Sequence, residues 1–169
     1  MMKRQLAWFI FAICLLSGVA SCKKDKEETD PRLINKENKE AGEQFLKENA
    51  NQAGVKETYT GLQYKIEKPS IGIHPFPEDS INVNYTGKLI DGTIFTSVES
   101  EDMLLARMIK GFQEGLQLMG EGATHTLYIP YYLAYGASSQ NFSYNGKTKT
   151  IQPYSVLIFE VSLNRVTRN

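Results

Sequence analysis

The segment MIKGFQEGLQLMGEGATHTLYIP, residues 108–130, changes from a helical pattern to a strand pattern within a few residues. In its first half, apolar residues recur every three or four positions, which is typical of one face of an α-helix. They are Ile109, Phe112, Leu116 and Met119. Gly120 and Gly122 then end the helix. In ATHTLYIP, every second residue is apolar or histidine, as in a half-buried strand. The segment therefore predicts one short helix followed directly by a strand.

Three further segments alternate apolar and polar residues with a period of two. They are GLQYKIEK (61–68), SINVNYTGKL (80–89) and SVLIFEVSLNRV (155–166). The pair Asp91-Gly92 separates GKLI from TIF, which is typical of a β-hairpin. Together these patterns predict an α+β domain in which an antiparallel sheet wraps on one short helix. The polar, turn-rich residues 136–153 predict a long loop.

The first residues have the organisation of an export signal. Lys3 and Arg4 precede an apolar run, 6–16, that is shorter than the ~20 residues needed to span a bilayer. Small residues follow the run, and the segment ends in VASC (19–22), which resembles a bacterial lipobox with Cys22 as the lipidated residue. The alternatives are an ordinary cleaved signal or an uncleaved anchor. Cys14 lies within the run, so a mature chain would keep no free thiol and no disulfide.

A charged stretch and a helix follow the proposed lipidation site. The residues KKDKEETDP, 23–31, contain no apolar side chain and predict a solvated tether or an export-sorting signal. Asp30 can cap a helix whose first residue is Pro31, and Gly54 can stop it. Its apolar face is thin, which predicts partial docking or a stalk rather than a core helix.

The sequence lacks the motifs of most classes of enzyme. Neither a phosphate-binding glycine loop nor a nucleophile elbow is present. His74 and His125 are the only histidines, and neither has neighbours at metal-ligand spacing, so we expect no metal site. Lys plus Arg and Asp plus Glu number 19 each, which gives no indication of a nucleic-acid partner. The chain either only binds, or catalyses a reaction that needs no proton transfer and no cofactor.

Three motifs together resemble the FKBP-type peptidyl-prolyl cis-trans isomerases. They are VNYTGKLIDGTIF (83–95), MIKGFQEGLQLMGEGATHTLYIPYYLAYG (108–136) and QPYSVLIFEVSL (152–163). The preceding FLKENANQAGVKETYTGLQYKI (45–66) resembles the linker of the macrophage-infectivity-potentiator-like bacterial branch. The resemblance implies an antiparallel half-barrel over one helix. We expect a signal peptide (1–21), a lipidated cysteine and tether (22–32), an N-terminal helix and linker (33–58), and the isomerase domain (59–168).

The resemblance also implies a substrate pocket. Its catalytic aromatic walls would be Tyr85, Phe95, Phe112, Tyr135 and Phe159. Substrate contacts would come from Thr96, Met108, Ile109 and Ile151, the last from the long loop. The Tyr135 hydroxyl would donate to a substrate carbonyl, Met108 would contact the substrate through its backbone, and Phe112 would form the floor beneath the proline ring. Tyr128, Tyr131 and Tyr132 would be strand or rim residues.

Three departures from the family pattern bear on activity. Thr96 stands where aspartate is common, and Phe112 stands where tryptophan is common. The connection from Phe95 to Met108 is shorter than usual, so a pocket residue it normally supplies would be absent, with Met103 or Leu104 as substitutes. We expect isomerase activity, either at the level common in the family or at a reduced level.

Two other functions remain open: a chaperone or peptide-binding lipoprotein that uses the same cleft without catalysis, and a structural lipoprotein that pairs through its helix. The expected partners are proline-containing polypeptides and a membrane reached through Cys22, and the expected assembly is a monomer or weak dimer. The expected location is the envelope of a Gram-negative bacterium, at the outer membrane, on its periplasmic side or at the cell surface.

Overall fold

The N-terminal helix begins at the expected residue. In the computed structural model, which describes residues 30–168, α1 spans Pro31–Asn49. The Asp30 side chain accepts a hydrogen bond from the Arg32 N–H at 2.9 Å, which is the capping interaction expected from the sequence. The helix ends at Asn49, five residues before Gly54, and turns follow from Ala50. The predicted stop at Gly54 was therefore wrong. The signal segment and Cys22 lie outside the described residues.

Helix α1 docks along the domain mainly through small and polar residues. A Cβ added to Gly42 would lie 2.9 Å from Val156 Cγ2, so only glycine allows this close approach. Asn49 Nδ2 donates to Gln63 Oε1 at 2.8 Å, and Gln63 Nε2 donates to the Leu46 carbonyl at 2.9 Å. The thin apolar face is thus compensated by hydrogen bonds between buried or half-buried groups. Helix α1 therefore docks on the domain and does not form a stalk.

Six of the eight strands within residues 30–168 form one antiparallel sheet. The strands are β1 (Val55–Glu57), β2 (Gln63–Lys68), β3 (Ser80–Leu89), β4 (Ile94–Leu104), β5 (Thr124–Ile129), β6 (Gln140–Tyr144), β7 (Lys147–Ile151) and β8 (Leu157–Thr167). The order in the sheet is β1-β2-β5-β8-β3-β4, and every neighbouring pair is antiparallel. The sheet confirms the predicted half-barrel architecture, and β1 is a strand that the sequence patterns did not reveal.

The short helix α2 (Lys110–Gln117) lies across this sheet and closes the core. Two of its glycines permit the contact: a Cβ on Gly111 would lie 2.3 Å from Ile129 Cγ2, and one on Gly115 would lie 2.4 Å from Leu127 Cδ1. Phe112, Leu116 and Met119 are fully buried. Burying each such side chain contributes about 1.5–3 kcal/mol. The predicted helix is therefore confirmed, but it ends at Gln117 before the expected stop at Gly120, and Ile109 of the predicted face is only half-buried.

Residues 136–153 are not the long loop that the sequence predicted. They form a separate hairpin of β6 and β7, joined by Asn145 and Gly146 at φ values of 50° and 69°. Asn-Gly with both residues at positive φ is the favoured two-residue hairpin turn. The loop prediction was wrong because the outward residues of both strands are hydroxyl and amide side chains, which obscured the alternation. They are Asn141, Ser143, Thr148 and Thr150.

Candidate functional site

A cavity of about 260 Å³ lies between the sheet, the start of α2 and the β6–β7 hairpin. Six of the ten residues that line it are aromatic. They are Tyr85, Phe95, Phe112, Tyr135, Phe142 and Phe159. The other four are Thr96, Arg107, Met108 and Ile109. The structure therefore brings together eight of the nine residues that the resemblance assigned to the pocket.

The aromatic rings hold one another in edge-to-face contacts. The Phe159 ring centroid lies 5.2 Å from that of Phe112, 5.7 Å from that of Phe95 and 5.9 Å from that of Tyr85. These separations fall within the favoured range for aromatic pairs, each of which adds about 0.5–1.5 kcal/mol. Phe95, Phe112 and Phe159 are almost completely buried. The base of the cavity is thus a rigid apolar surface.

Tyr85 has a polar partner at the position where the family commonly has aspartate. Burial, and after it the nearby charge of Glu101, raises the pKa of Tyr85 above the ordinary value of 10.0, while the neighbouring Thr96 side chain acts in the opposite direction. Thr96 therefore replaces a charged partner of Tyr85 with a neutral one, and the phenol stays protonated at neutral pH.

The Tyr135 hydroxyl is free to meet a ligand. It has no hydrogen-bond partner among residues 30–168, and it is not sealed from solvent. Burial raises the pKa of Tyr135 above its ordinary value, so the group remains a hydrogen-bond donor. Its ring packs against Phe142 with centroids 6.0 Å apart. Position and protonation state both suit a donor to a bound carbonyl.

The segment before α2 is held by internal hydrogen bonds. The Met108 N–H donates to the Leu105 carbonyl at 3.1 Å, and the Met108 carbonyl accepts from Gln113 Nε2 at 2.7 Å. By contrast, the Ile109 N–H has no acceptor within the described part of the chain. The backbone group available to a ligand here is therefore the N–H of Ile109 rather than that of Met108.

Phe142 was not among the residues expected in the cavity, and three residues that were expected there lie elsewhere. Phe142 reaches the cavity from β6, and its ring centroid lies 5.4 Å from that of Phe95. Ile151 is 1% exposed and belongs to the core at the end of β7, so it does not line the cavity. Met103 and Leu104 pair with β3 at the end of β4 remote from Phe95 and do not substitute for a pocket residue. Recognition of the Asn-Gly hairpin would have indicated Phe142.

The remaining tyrosines of LYIPYYLAYG lie outside the cavity. Tyr128 packs against Phe45 of α1, with ring centroids 6.1 Å apart. Tyr131 contacts Tyr132 and Tyr154 edge to face, at 5.3 and 5.2 Å. These positions agree with strand and rim roles.

A larger open depression of about 790 Å³ lies beside α2, on the side of Tyr59 and Tyr64. Its walls carry several charged and amide side chains, and the Thr60 hydroxyl oxygen lies 2.8 Å from each carboxylate oxygen of Glu114. The smaller cavity is the better candidate site because the buried aromatic rings converge there. Within residues 30–168, no cluster of three or more histidine, cysteine or acidic side chains could hold a metal ion.

Comparisons with known proteins identify relatives of this chain. The model of the FKBP-type peptidyl-prolyl cis-trans isomerase family matches residues 72–164, which is more than half of the chain. The chain belongs to this family. A second model, of the domain amino-terminal to FKBP-type isomerases, matches residues 16–66.

Bacterial isomerases are among its relatives. The chain is 44% identical to the probable FKBP-type isomerase FkpA of Neisseria meningitidis, over 78% of this chain and 47% of the relative. It is 38% identical to the outer membrane protein MIP of Legionella longbeachae, over 78% of this chain and 55% of the relative. The chain thus spans about half the length of these curated relatives.

Solved structures of the family share the fold. FkpA from Escherichia coli superposes with a TM-score of 0.72 at 33% identity, over 81% of this chain and 62% of that one. An isomerase from Pseudomonas syringae superposes with a TM-score of 0.70 at 30% identity, over 79% of this chain and 96% of that one. None of the helices within residues 30–168 is long and apolar enough to cross a membrane.

Proposed function

We propose that this protein is a peptidyl-prolyl cis-trans isomerase whose catalytic site is the aromatic cavity. The observation that carries the proposal is the convergence of six aromatic side chains on a space of about 260 Å³. The titratable groups that line this cavity are two tyrosines and Arg107, among the residues that the structure describes. Such a site suits a reaction that needs no general base, nucleophile or metal.

Rotation about an X-Pro bond is such a reaction. The barrier is ~18–20 kcal/mol because rotation breaks the amide resonance. The planar amide has more charge separation than the twisted one, so a dry apolar cavity disfavours the planar form relative to the twisted form. Lowering the barrier by about 5–6 kcal/mol would accelerate rotation by about four decades. Phe112 and Phe159 supply the apolar surface for the proline ring.

Two hydrogen-bond donors can fix the substrate while the bond rotates. The Tyr135 hydroxyl and the Ile109 N–H both lack acceptors within residues 30–168. Substrate carbonyls on either side of the rotating bond are suitable acceptors. Holding the flanking groups lets the enzyme bind the twisted geometry better than the planar one. We assign the catalytic walls to Tyr85, Phe95, Phe112, Tyr135 and Phe159, with Thr96, Met108 and Ile109 as substrate-binding residues.

Thr96 gives weight to a second function. Thr96 lines the cavity beside the Tyr85 phenol without the negative charge that aspartate would place there. If that charge is required for catalysis, the cavity would bind proline-containing segments and act as a chaperone without useful isomerase activity. The two functions predict different effects of restoring the acid at position 96.

We further propose that the protein is attached to the envelope of a Gram-negative bacterium by a lipid on Cys22. The lipobox-like VASC and the charged residues 23–31 support this placement. The printed name of the Legionella longbeachae relative places that protein at the outer membrane. Two or more acyl chains on one cysteine would make attachment stable. Mass spectrometry of the protein from membranes would detect the acylated cysteine, and an unmodified Cys22 would exclude it.

The isomerase proposal is tested by a protease-free isomerisation assay on a capped peptide that contains Leu-Pro. The expected result is acceleration well above the uncatalysed rate by the wild type, and loss of most of it in a Tyr135→Phe, Phe159→Ala double variant. A folded wild type that gives no acceleration would refute the enzyme and favour the binding function. Circular dichroism establishes the folded state of both proteins.

A further inference from the structure

The β6–β7 hairpin (Gln140–Ile151) is a separate two-stranded sheet that contributes to the cavity wall from outside the main sheet. It contacts the cavity through Phe142, whose ring packs on Phe95 and Tyr135. In the antiparallel register, Phe142 is opposite Lys149, and Tyr144 is opposite Lys147. Directly paired residues project from the same face of a two-stranded ribbon. The face that carries Phe142 into the cavity therefore also carries both lysines.

These lysines have no carboxylate partner within salt-bridge distance among residues 30–168. Arg107, which lines the same cavity, also lacks one. Other lysines of this protein do pair: Lys88 Nζ lies 2.6 Å from Glu160 Oε1. Two acids of β4 lie near Tyr85: Glu101 adds to the effect of burial on the pKa of Tyr85, and Glu99 lines the neighbouring depression together with Tyr85. The three cations without a salt bridge outnumber these two acids.

We propose that the β6–β7 hairpin makes this protein prefer proline-containing segments that carry an acidic residue close to the proline. Phe142 contacts the residue beside the proline, while Lys147, Lys149 and Arg107 attract the acidic side chain. This inference rests on the proposed function, because it names the substrate class of the same cavity. The cations act by charge, so the preference weakens as salt screens them.

The test compares capped peptides that differ only in charge near Leu-Pro. One set carries glutamate, glutamine or lysine two positions before the proline, and a second set carries them two positions after it. The full chain in mild detergent is assayed for kcat/KM, and the affinity of fluorescent versions of the same peptides is measured in parallel. We expect the glutamate peptide to exceed the lysine peptide about 3-fold or more at low salt in one of the sets, as several exposed ion pairs would give.

The variants locate the preference on the hairpin. Lys147→Gln with Lys149→Gln should reduce the glutamate-to-lysine ratio by at least about half. Lys47→Gln with Lys68→Gln makes the same change of charge at exposed lysines of α1 and β2, and should leave the ratio as in the wild type. A ratio near one at high salt in the wild type would confirm the electrostatic origin.

Two results would overturn the inference: a ratio of one in both peptide sets for the wild type, or a ratio that the hairpin variant retains in full. Failure of the proposed function gives a different result, since no peptide would then be isomerised. The affinities still report the preference in that case, so equal affinities for glutamate and lysine peptides would reject the inference separately.

Discussion

Removing the Tyr135 hydroxyl should lower catalysis without lowering stability. The hydroxyl has no hydrogen-bond partner among residues 30–168, so Tyr135→Phe leaves no protein group unpaired, and the ring keeps its contact with Phe142. One neutral hydrogen bond is worth about 0.5–1.5 kcal/mol. If it is made to the rotating substrate, kcat/KM should fall by about 2- to 12-fold. The melting temperature should stay within about 1–2 °C of the wild type.

The assay is protease-free isomerisation of a Leu-Pro peptide, with kcat and KM determined separately. Equal decreases in kcat and kcat/KM would show that the bond forms mainly in the transition state. Tyr131→Phe is the matched control, because it removes a hydroxyl with no hydrogen bond within the described residues, outside the cavity. Unchanged kcat/KM in Tyr135→Phe, or an equal loss in the control, would refute the assigned role.

Three other changes have expected outcomes. Thr96→Asp should raise kcat/KM if the cavity is catalytic, because a charged acceptor would bind the Tyr85 hydroxyl more strongly; a decrease in a folded variant would count against this role. Gly115→Ala should lower the free energy of unfolding by about 1–2 kcal/mol, because its Cβ would lie 2.4 Å from Leu127 Cδ1, and a higher melting temperature would contradict the packing argument. Burial, with a smaller contribution from nearby positive charge, lowers the pKa of His125 below 6.5. Near this pH the unfolded chain therefore binds more protons than the folded one. The free energy of unfolding should decrease as the pH falls through about 6.5. Between pH 7.5 and 5.5, the melting temperature should decrease less in His125→Gln than in the wild type. Equal slopes in the two proteins would refute the contribution of His125.

The sheet and its core could be predicted because burial follows strand and helix periods closely. Along β5 and β8 the apolar positions that alternate in the sequence are the ones buried in the core. The same holds for α2, where one face is apolar and two glycines fit against β5. In each case one face of an element meets one core, so the sequence pattern and the burial pattern coincide.

The β6–β7 hairpin could not be predicted in this way, because one face is polar and the other mixes Phe142 and Tyr144 with lysines. The hairpin turn Asn145-Gly146 can be recognised in the sequence, but it lies in a polar, turn-rich segment whose composition is typical of a loop. The hairpin supplies Phe142 to the cavity, whereas the pocket residue expected from this part of the chain was Ile151. Ile151 is the opposite case: it was expected to contact the substrate, but its side chain is buried in the core.

The docking of α1 also depended on tertiary contacts that composition does not reveal. Asn38 Nδ2 donates to Ser155 Oγ at 3.1 Å and to the Pro153 carbonyl, which joins the helix to the segment before β8. Such contacts link residues more than a hundred positions apart in sequence. No periodic pattern predicts them, although the Asp30–Pro31 start of the helix was predictable from local chemistry.

The most direct test of the central claim measures kcat/KM on a Leu-Pro peptide from pH 6 to 9, in H2O and in D2O. If the aromatic cavity catalyses rotation without proton transfer, the protein should accelerate isomerisation, the profile should be flat, and the solvent isotope effect should be close to one. The raised pKa values of Tyr85 and Tyr135 keep both phenols protonated throughout this range. A titrating limb within it, a large isotope effect, or no acceleration by the folded protein would contradict the account.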